Sequence, residues 1–323
     1  MKRLIRKPGD APIELLLLRP VHELALQRLE QDFSLLKTYE AADTAAFLKT
    51  VAPRVRGIAA GAHSLIDRCM IHQLPRLEII ANFGAGCDSI DLTAARQRGI
   101  SVTNTPDVLT DDVADLAIAL LIGTVRQLPA ADRYLRRGDW ARNGPYRLTT
   151  SCAGRTAGIL GLGRIGLAIA ARLAPMGVAV HYHNRRPIKD CPFSYQASPT
   201  ALADAVDFLI VSCPGGAATE RLVGSEVLDA LGPDGYLINV ARGSVVDESA
   251  LVDALIHRRI RGAGLDVFGH EPDVPAALID RDDVFLLPHV GSATTQAREA
   301  MANLMVDNLV AHFSGRPLLT PVV

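Results

Sequence analysis

The chain has 323 residues, which is long for one hydrophobic core and suits two domains that share a cleft. Hydrophobic residues make up 49% and charged residues 21%, and the formal net charge of −1 gives no electrostatic reason to expect nucleic acid or an acidic membrane as a partner. Five scattered cysteines without CxxC spacing argue against a disulfide framework or a zinc site, so we expect a cytoplasmic protein whose partners are small molecules and another subunit.

The first twenty residues are basic and then apolar, which superficially suggests a signal peptide. The apolar run from Ile13 to Leu18 is short, however, and Glu14 interrupts it, so we expect a buried first strand instead. No other segment of the sequence is long and apolar enough to predict a membrane span.

From Ile13 to Asn104, strand-like and helix-like segments alternate at the spacing of βαβ units, which predicts a parallel sheet. One predicted strand, LEIIANFG, runs into the loop GAGCD at residues 84–88. Small residues there leave backbone N–H groups exposed at a strand's carboxyl end, where open α/β sheets bind ligands. An ordinary strand-to-helix turn is an equally good interpretation of this loop taken alone.

A long apolar helix is predicted from Thr110 to Arg126, with Thr110 or Asp111 as its N-cap and acidic residues in its first turn. Its apolarity indicates burial on nearly all sides, at a domain junction or a subunit interface. The segment after it carries Trp140 among arginines and turn residues. We interpret that segment as an arm crossing to a partner subunit, with a simple loop as the alternative.

The stretch from Thr156 to Arg186 has the order of a dinucleotide site: a short strand, a glycine turn, an apolar helix and a second strand. In the turn, Gly161 permits the tight bend, Gly163 lets the backbone approach a pyrophosphate, and Gly166 lets the helix pack on the strand. The residues of the turn and helix start predicted to bind the cofactor are Gly161, Gly163, Arg164, Ile165 and Gly166. The free N–H groups of the helix N-terminus would face the phosphates.

Cofactor choice is decided at the end of the second strand of this unit. Proteins that prefer NAD usually carry an acid there for the ribose diol. This chain has Asn184 instead, followed by Arg185 and Arg186. Because an arginine pairs with a 2′-phosphate that an acid would repel, these residues predict NADP(H), with NAD(H) less favoured. A solvated surface turn is the alternative interpretation of the two arginines.

Three charged or titratable residues follow further predicted strands of the same sheet: Arg242, Glu271 and His289. A guanidinium at a strand end can hold a carboxylate bidentately. A histidine whose protonated form is stabilised by a carboxylate can donate a proton at neutral pH. Taken singly, each has an ordinary structural explanation: a sheet-edge ion pair, a turn acid before Pro272 and a buried histidine. Together with a dinucleotide fold, they predict a catalytic site.

With these residues in place, the chain resembles the D-isomer-specific 2-hydroxyacid dehydrogenases from about Ile58 to its C-terminus. The resemblance is carried by FGAGCDSIDL, NTPDVLTDDVADLAIALL, GLGRIG, LINVARGSVVDESAL, GAGLDVFGHEP and LLPHVGSAT. It implies that Arg242 binds the substrate carboxylate and carbonyl, that His289 is the acid/base and that Glu271 pairs with it. It also implies that substrate is held by the backbone amides of Ala85 and Gly86.

The resemblance implies an α/β fold in which a doubly wound Rossmann nucleotide domain is inserted into a flavodoxin-like substrate domain. The expected boundaries are 104–292 for the NADP-binding domain and 1–103 plus 293–323 for the substrate domain, and the family is typically dimeric. Asp266 is expected near the nicotinamide carboxamide, with Cys213 and Pro214 beside the adenosine. The remaining expected cofactor contacts are Thr219, Val240, Ala241 and Gly291.

Within the family, the predicted NADP preference is most similar to the glyoxylate/hydroxypyruvate reductases, which reduce small 2-keto acids to D-2-hydroxy acids. Hydroxyphenylpyruvate reductases are the related alternative, and Phe83 is expected to favour apolar substrate tails. A phosphoglycerate-type dehydrogenase is disfavoured because the loop at residues 59–63 offers a substrate phosphate only His63, although Arg54 and Arg56 are close in sequence. A nucleotide-sensing binding protein on the same fold, like the corepressors, is the alternative from another class.

Two further features have ordinary explanations. His181 and His183 are two apart on a predicted strand, as metal ligands can be, but no third ligand is evident nearby and we expect a structural or cofactor-rim role without a metal. Cys213 has no identifiable base beside it and is interpreted as packing against the cofactor rather than as a nucleophile.

Overall fold

A computed structural model describes residues 12–61 and 64–323. The described residues divide into two compact units: residues 12–61 and 64–109 with 294–323, and residues 110–293. Each unit is built on one parallel β-sheet. His63 and most of the basic N-terminal segment lie outside the described residues.

The first unit contains a five-stranded sheet of order β2-β1-β3-β4-β5 with every pairing parallel. Its strands are β1 Glu14–Leu17, β2 Ser34–Lys37, β3 Val55–Ala60, β4 Ile79–Asn82 and β5 Ser101–Thr103. Helices connect consecutive strands: α1 Glu23–Asp32, α2 Thr44–Val51, α3 Arg68–Gln73 and α4 Leu92–Gln97. This 2-1-3-4-5 order is that of flavodoxin-like sheets. β1 is the buried first strand expected from the sequence, with Leu15, Leu16 and Leu17 fully buried.

The second unit contains a seven-stranded parallel sheet of order β12-β11-β10-β9-β6-β7-β8. Its strands are β6 Thr156–Leu160, β7 Ala179–His183, β8 Ser194–Tyr195, β9 Phe208–Val211, β10 Tyr236–Asn239, β11 Gly262–Leu265 and β12 Val284–Leu286. The order reverses direction at β6, between β7 and β9, which is the switch point where doubly wound sheets bind ligands. β9 and β10 are buried at every position, as strands covered on both faces must be.

The helices of the second unit cover this sheet. They are α5 Thr110–Val125, α6 Leu128–Arg136, α7 Asp139–Asn143, α8 Arg164–Leu173, α9 Pro199–Asp204, α10 Ser225–Leu231, α11 Glu248–Ile256 and α12 Ala276–Ile279. α5 packs on α8, where Arg172 Nε donates to Asp115 and Arg172 Nη2 donates to Asp111. α5 already includes Thr110, so the prediction of Thr110 or Asp111 as its N-cap is wrong; the helical backbone begins earlier than the polar residues suggest.

The segment around Trp140 is more ordered than an arm of turn residues. α6 and α7 form its first part, and the two left-handed residues Gln127 and Gly138 precede them. Trp140 is 61% exposed and Leu148 is almost fully exposed. No helix among the described residues is by itself long and apolar enough to cross a membrane; α5 and α6 pass that test only as a pair, and they are bent by 62°.

The last helix, α13 Thr295–Phe313, returns to the first unit. Thr294 is its N-cap and accepts a hydrogen bond from the Ala297 N–H. α13 packs against α1 and β4, and Arg28 of α1 donates to Asp307 at 2.8 Å. The C-terminal segment then bonds to Val102, which ties the chain's end to β5.

Candidate active site

The carboxyl ends of β10, β11 and β12 carry the three predicted catalytic residues. The turn after β10 is shaped by Asn239, whose buried side chain accepts from the Ala241 N–H and donates to the Arg242 carbonyl, both at 3.0 Å. Arg242 follows in extended conformation, and its Nη1 donates to the Ala241 carbonyl at 2.7 Å. A short-range amide clamp therefore fixes the backbone from which the guanidinium projects.

Gly243 holds the turn after β10 against the end of β11. A Cβ at this position would lie 1.9 Å from the carbonyl carbon of Phe268 and 2.0 Å from its oxygen. Because both neighbours are backbone atoms, no side chain can be accommodated by a rotamer change. The glycine of the ARG motif thus fixes Arg242 next to the loop that carries Glu271.

Glu271 uses both carboxylate oxygens. Its Oε1 accepts from the Phe268 N–H at 3.0 Å, and its Oε2 lies 2.7 Å from Nδ1 of His289. The neighbouring Gly269 N–H donates to Glu248 Oε1 at 3.0 Å, so an acid of α11 also holds this loop. The carboxylate therefore meets the imidazole from a position fixed at two backbone points.

His289 is held by Asp266, a residue that is only 2% exposed. The His289 N–H donates to the Asp266 carbonyl, and the Asp266 carboxylate accepts from the N–H groups of Val290 at 2.7 Å and Gly291 at 2.8 Å. His289 itself has a left-handed backbone, with φ of 53°. Burial raises the pKa of Asp266 above its usual value, although the two backbone donors and His289 oppose that shift.

The glycine turn has the space that a pyrophosphate needs. Gly161 has φ of 100°, and a Cβ there would lie 2.5 Å from backbone atoms of Cys213. At Gly166 a Cβ would lie 2.6 Å from the Gly161 carbonyl oxygen, whereas at Gly163, the N-cap of α8, it would meet nothing within 4 Å. Two glycines are thus required by packing and the third faces open space, so the turn fits a dinucleotide phosphate.

Asn184 at the end of β7 clamps this turn. Its Oδ1 accepts from the Leu162 N–H at 2.7 Å and its Nδ2 donates to the Leu162 carbonyl at 3.3 Å. Arg185 and Arg186 follow it, both exposed and neither in an ion pair with any residue of the described ranges. Asn184, which stands where NAD-preferring proteins usually carry an acid, is therefore bonded to the glycine turn, and the two exposed arginines follow it.

Cys213 packs beneath the glycine turn. Burial raises the pKa of its thiol to about 11, so the thiolate is scarcely populated at neutral pH. Pro214 and Thr219 are joined by the Thr219 hydroxyl, which donates to the Pro214 carbonyl at 2.6 Å. Of the other predicted cofactor contacts, Val240 and Ala241 are buried after β10.

In the first unit, the loop after β4 has its carbonyl groups tied back. Asn82 Nδ2 donates to the carbonyls of Gly84 at 3.2 Å and Gly86 at 2.8 Å, and Asn104 Nδ2 donates to the Ala85 carbonyl at 2.7 Å. Three successive carbonyls accept from side-chain amides, which fixes the conformation of the loop predicted to hold substrate. Asn104 had no recognisable signal for this role in the sequence because it lies 19 residues from its acceptor.

Arg54 and Arg56 do not lie at the loop of residues 59–63, where a phosphoglycerate-type dehydrogenase would need a basic residue for the substrate phosphate. They flank the first residue of β3, at the opposite end of that strand from the loop that follows Ala60. Each is paired with a carboxylate: Arg54 with Glu14 at 2.9 Å and Arg56 with Glu78. Both charges are therefore used within the sheet.

His181 and His183 are joined through Gln196 rather than through a shared ligand position. Gln196 Nε2 lies 3.2 Å from His181 Nδ1, and its backbone carbonyl lies 2.8 Å from His183 Nδ1. Among residues 12–61 and 64–323 there is no group of three or more His, Cys, Asp or Glu side chains arranged to hold a metal ion.

A doubly wound sheet with a glycine turn at its switch point, and a carboxylate–histidine pair at neighbouring strand ends, defines a dinucleotide-dependent oxidoreductase. The family model for the D-isomer specific 2-hydroxyacid dehydrogenase NAD-binding domain matches residues 118–291. The chain therefore belongs to the D-isomer-specific 2-hydroxyacid dehydrogenase family.

Several proteins that this chain is similar to are reductases. The chain is 45% identical over 311 residues to hydroxyphenylpyruvate reductase of Plectranthus scutellarioides and, equally, to glyoxylate/hydroxypyruvate reductase A of Arabidopsis thaliana. Both alignments cover 96% of this chain and 99% of the relative. Among solved structures, the NADPH-dependent glyoxylate/hydroxypyruvate reductase of Sinorhizobium meliloti, in complex with NADP and malonate, matches with a TM-score of 0.92 and 48% identity, covering 97% of each chain.

Proposed function

We propose that this protein reduces small 2-keto acids, glyoxylate and hydroxypyruvate first among them, to D-2-hydroxy acids with NADPH. The observation that carries the proposal is the 2.7 Å contact between Glu271 Oε2 and His289 Nδ1, made on the sheet that also carries the glycine turn. The activities of the named reductases and the NADP in the Sinorhizobium structure support it. The unit of residues 110–293 would bind the nucleotide, and the other unit would bind the substrate.

When bound, NADPH supplies the hydride that reduces the keto carbon. His289 would donate the accompanying proton to the carbonyl oxygen from Nε2, because Nδ1 is engaged by Glu271. The carboxylate stabilises the protonated imidazole before that transfer and fixes the ring's orientation. Both the hydride and the proton end on the substrate, at the carbon and the oxygen of the former carbonyl.

Arg242 would bind the substrate carboxylate bidentately and polarise the keto group. The backbone N–H groups of Ala85 and Gly86 would bind a substrate carboxylate, an assignment supported by the side-chain amides that fix the carbonyls of this loop. The proposed substrate therefore carries a carboxylate next to its reactive carbonyl.

The preference for NADPH rests on Asn184, Arg185 and Arg186. No carboxylate of the described residues pairs with either arginine, so both are available to a 2′-phosphate. Asn184 is neutral and is bonded to Leu162, so it does not repel that phosphate.

We further propose a cytoplasmic homodimer. Four large apolar side chains in and after α6 and α7 support this assembly because they are about half exposed or more: Leu128, Leu135, Trp140 and Leu148. Analytical ultracentrifugation tests the dimer, and the double variant Trp140→Ala with Leu148→Ser should shift the protein toward monomer. The surface variant Glu226→Gln should leave the mass unchanged.

A spectrophotometric screen tests the function. Glyoxylate, hydroxypyruvate, hydroxyphenylpyruvate and a phosphorylated 2-keto acid are each assayed with NADPH and with NADH. We expect the largest kcat/KM for a small keto acid with NADPH. A clear preference for NADH would overturn the cofactor assignment, and tight NADPH binding without turnover of any keto acid would favour the nucleotide-sensing alternative.

A further inference from the structure

Arg298 carries a half-buried positive charge that no carboxylate within the described ranges neutralises. It lies one turn into α13, and no Asp or Glu side chain of residues 12–61 and 64–323 comes within ion-pairing distance of its guanidinium. The guanidinium lies over the ring of Phe83, whose centroid is 5.8 Å from Cζ. Burial lowers the pKa of this guanidinium below its usual value, which marks a cation that has lost water without gaining an anion.

Three other partly buried arginines are each paired with a carboxylate, whereas Arg98, also partly buried, donates to the backbone carbonyls of residues 71, 74 and 75. Arg28 bonds to Asp307, Arg56 to Glu78 and Arg281 to Asp283. Arg298 has the additional disadvantage that the N-terminal part of a helix disfavours a cation. The contact with an aromatic face offsets only part of this cost. An anion that binds beside the guanidinium would supply the charge that the described residues do not.

The position of Phe83 indicates where that anion would bind. Phe83 directly follows β4 and directly precedes the loop 84–87, and its own N–H is bonded to Ala60. The loop's carbonyls are fixed by Asn82 and Asn104, as described above. The unpaired guanidinium thus stands over the residue that leads into the proposed substrate loop, and both belong to the same unit.

We infer that Arg298 binds a second carboxylate of the substrate, so that dicarboxylic 2-keto acids are substrates alongside glyoxylate. The inference rests on the proposed function, in which the loop amides already hold the first carboxylate. A neutral hydroxyl or an apolar tail would leave the Arg298 charge without an anion. The ring of Phe83 lies against the guanidinium. We therefore expect an anionic substrate tail at this position, and not the apolar tail that Phe83 predicts from the sequence alone.

The test compares glyoxylate with oxomalonate, which adds one carboxylate to the same keto carbon. Values of kcat/KM with NADPH are measured for the wild type, Arg298→Gln, Arg298→Lys and Arg316→Gln; Arg316 is an exposed arginine just beyond α13 and serves as the matched control. Arg298→Gln should lower kcat/KM for oxomalonate by roughly 30-fold or more, as expected for a lost charge pair, and that for glyoxylate by less than about 3-fold. Arg298→Lys should retain part of the selectivity because it keeps the charge.

Malonate provides a second readout that does not depend on turnover. Calorimetry should show malonate binding to the wild type and to Arg316→Gln, with weakened binding to both Arg298 variants. Equal losses for the two keto acids in Arg298→Gln, or unchanged malonate binding, would overturn the inference. Reduction of glyoxylate without use of oxomalonate would overturn it while leaving the proposed function intact. If the wild type reduced neither acid, the proposed function would fail and the malonate titration would still decide whether Arg298 binds a dicarboxylate.

Discussion

Glu271 and His289 meet through one carboxylate oxygen and one ring nitrogen, 2.7 Å apart, although they follow different strands and lie 18 residues apart in sequence. The other oxygen of Glu271 is bonded to the backbone of Phe268, and the backbone of His289 is held by Asp266. Both partners are therefore anchored independently of each other. This arrangement keeps the imidazole in one orientation, as a general acid requires.

Glu271→Gln should lower kcat for glyoxylate reduction by about 10²-fold with little change in the KM for NADPH. The amide is close to isosteric, but it is neutral and does not stabilise a protonated imidazole. Steady-state kinetics with each substrate varied measures both effects. Glu226→Gln, an exposed position on α10, is the control, and a Glu271→Gln enzyme with wild-type kcat would refute the role of the carboxylate.

Asp266→Asn should both destabilise the protein and reduce turnover. The ionised carboxylate satisfies two backbone N–H donors, whereas an amide has one oxygen and presents an NH2 group to the second donor. We expect a loss of about 1–3 kcal/mol in the free energy of unfolding, measured by urea denaturation. Asp280→Asn, at an exposed site, should show no such loss. Intact stability in Asp266→Asn would mean that these two hydrogen bonds do not hold the His289 loop.

Two glycine substitutions should affect different properties: one should lower stability and the other should weaken NADPH binding. Gly243→Ala places a Cβ on backbone atoms of Phe268 and should lower stability by at least about 1–3 kcal/mol through overpacking. Gly163→Ala meets nothing within 4 Å and should leave the thermal midpoint unchanged. Gly163→Ala should nevertheless raise the Kd for NADPH roughly tenfold, equivalent to about 1.4 kcal/mol. The added methyl group would occupy the space in which we place the pyrophosphate. Unchanged NADPH binding in Gly163→Ala would contradict the placement of the phosphates at this turn.

The ion pair of Glu78 should make the first unit sensitive to acid. Burial alone would raise the pKa of Glu78, but the hydrogen bond and charge of Arg56, with His312, bring it below the usual 4.5. A depressed folded-state pKa contributes stability that is complete above pH 4.5 and is lost as the pH falls further. Glu78→Gln should therefore lower the free energy of unfolding by up to about 1 kcal/mol at pH 7, since the pair is partly exposed. The difference from wild type should shrink as the pH falls below 4.5. A difference that does not depend on pH would contradict the electrostatic explanation.

The sequence predicts the glycine turn and the strand-end residues well because both are local patterns on regular elements. Gly161 needs a left-handed backbone and Gly166 needs close packing, and the structure has both constraints. The family assignment, which the family model and the curated relatives confirm, followed from those motifs together with Arg242, Glu271 and His289. The roles assigned to individual residues stay predictions.

The long-range supports were missed because nothing in the local sequence marks them. Asn104 bonds to Ala85 across two strands, Glu248 to Gly269 across 21 residues, and Arg298 reaches Phe83 from the far end of the chain. α6 is not predicted for a different reason: arginines and turn residues in this segment indicate a surface arm. Its sequence does contain helix signals, a proline at the first turn and an Asp132–Arg136 pair at i,i+4 spacing.

The turnover of His289→Ala with glyoxylate and NADPH, measured together with the Kd for NADPH, tests the proposed proton donor most directly. We expect kcat to fall by about 10²-fold or more, because the proton donor is gone, with NADPH binding close to that of the wild type. Wild-type turnover in this variant would contradict the assignment of His289 as the proton donor.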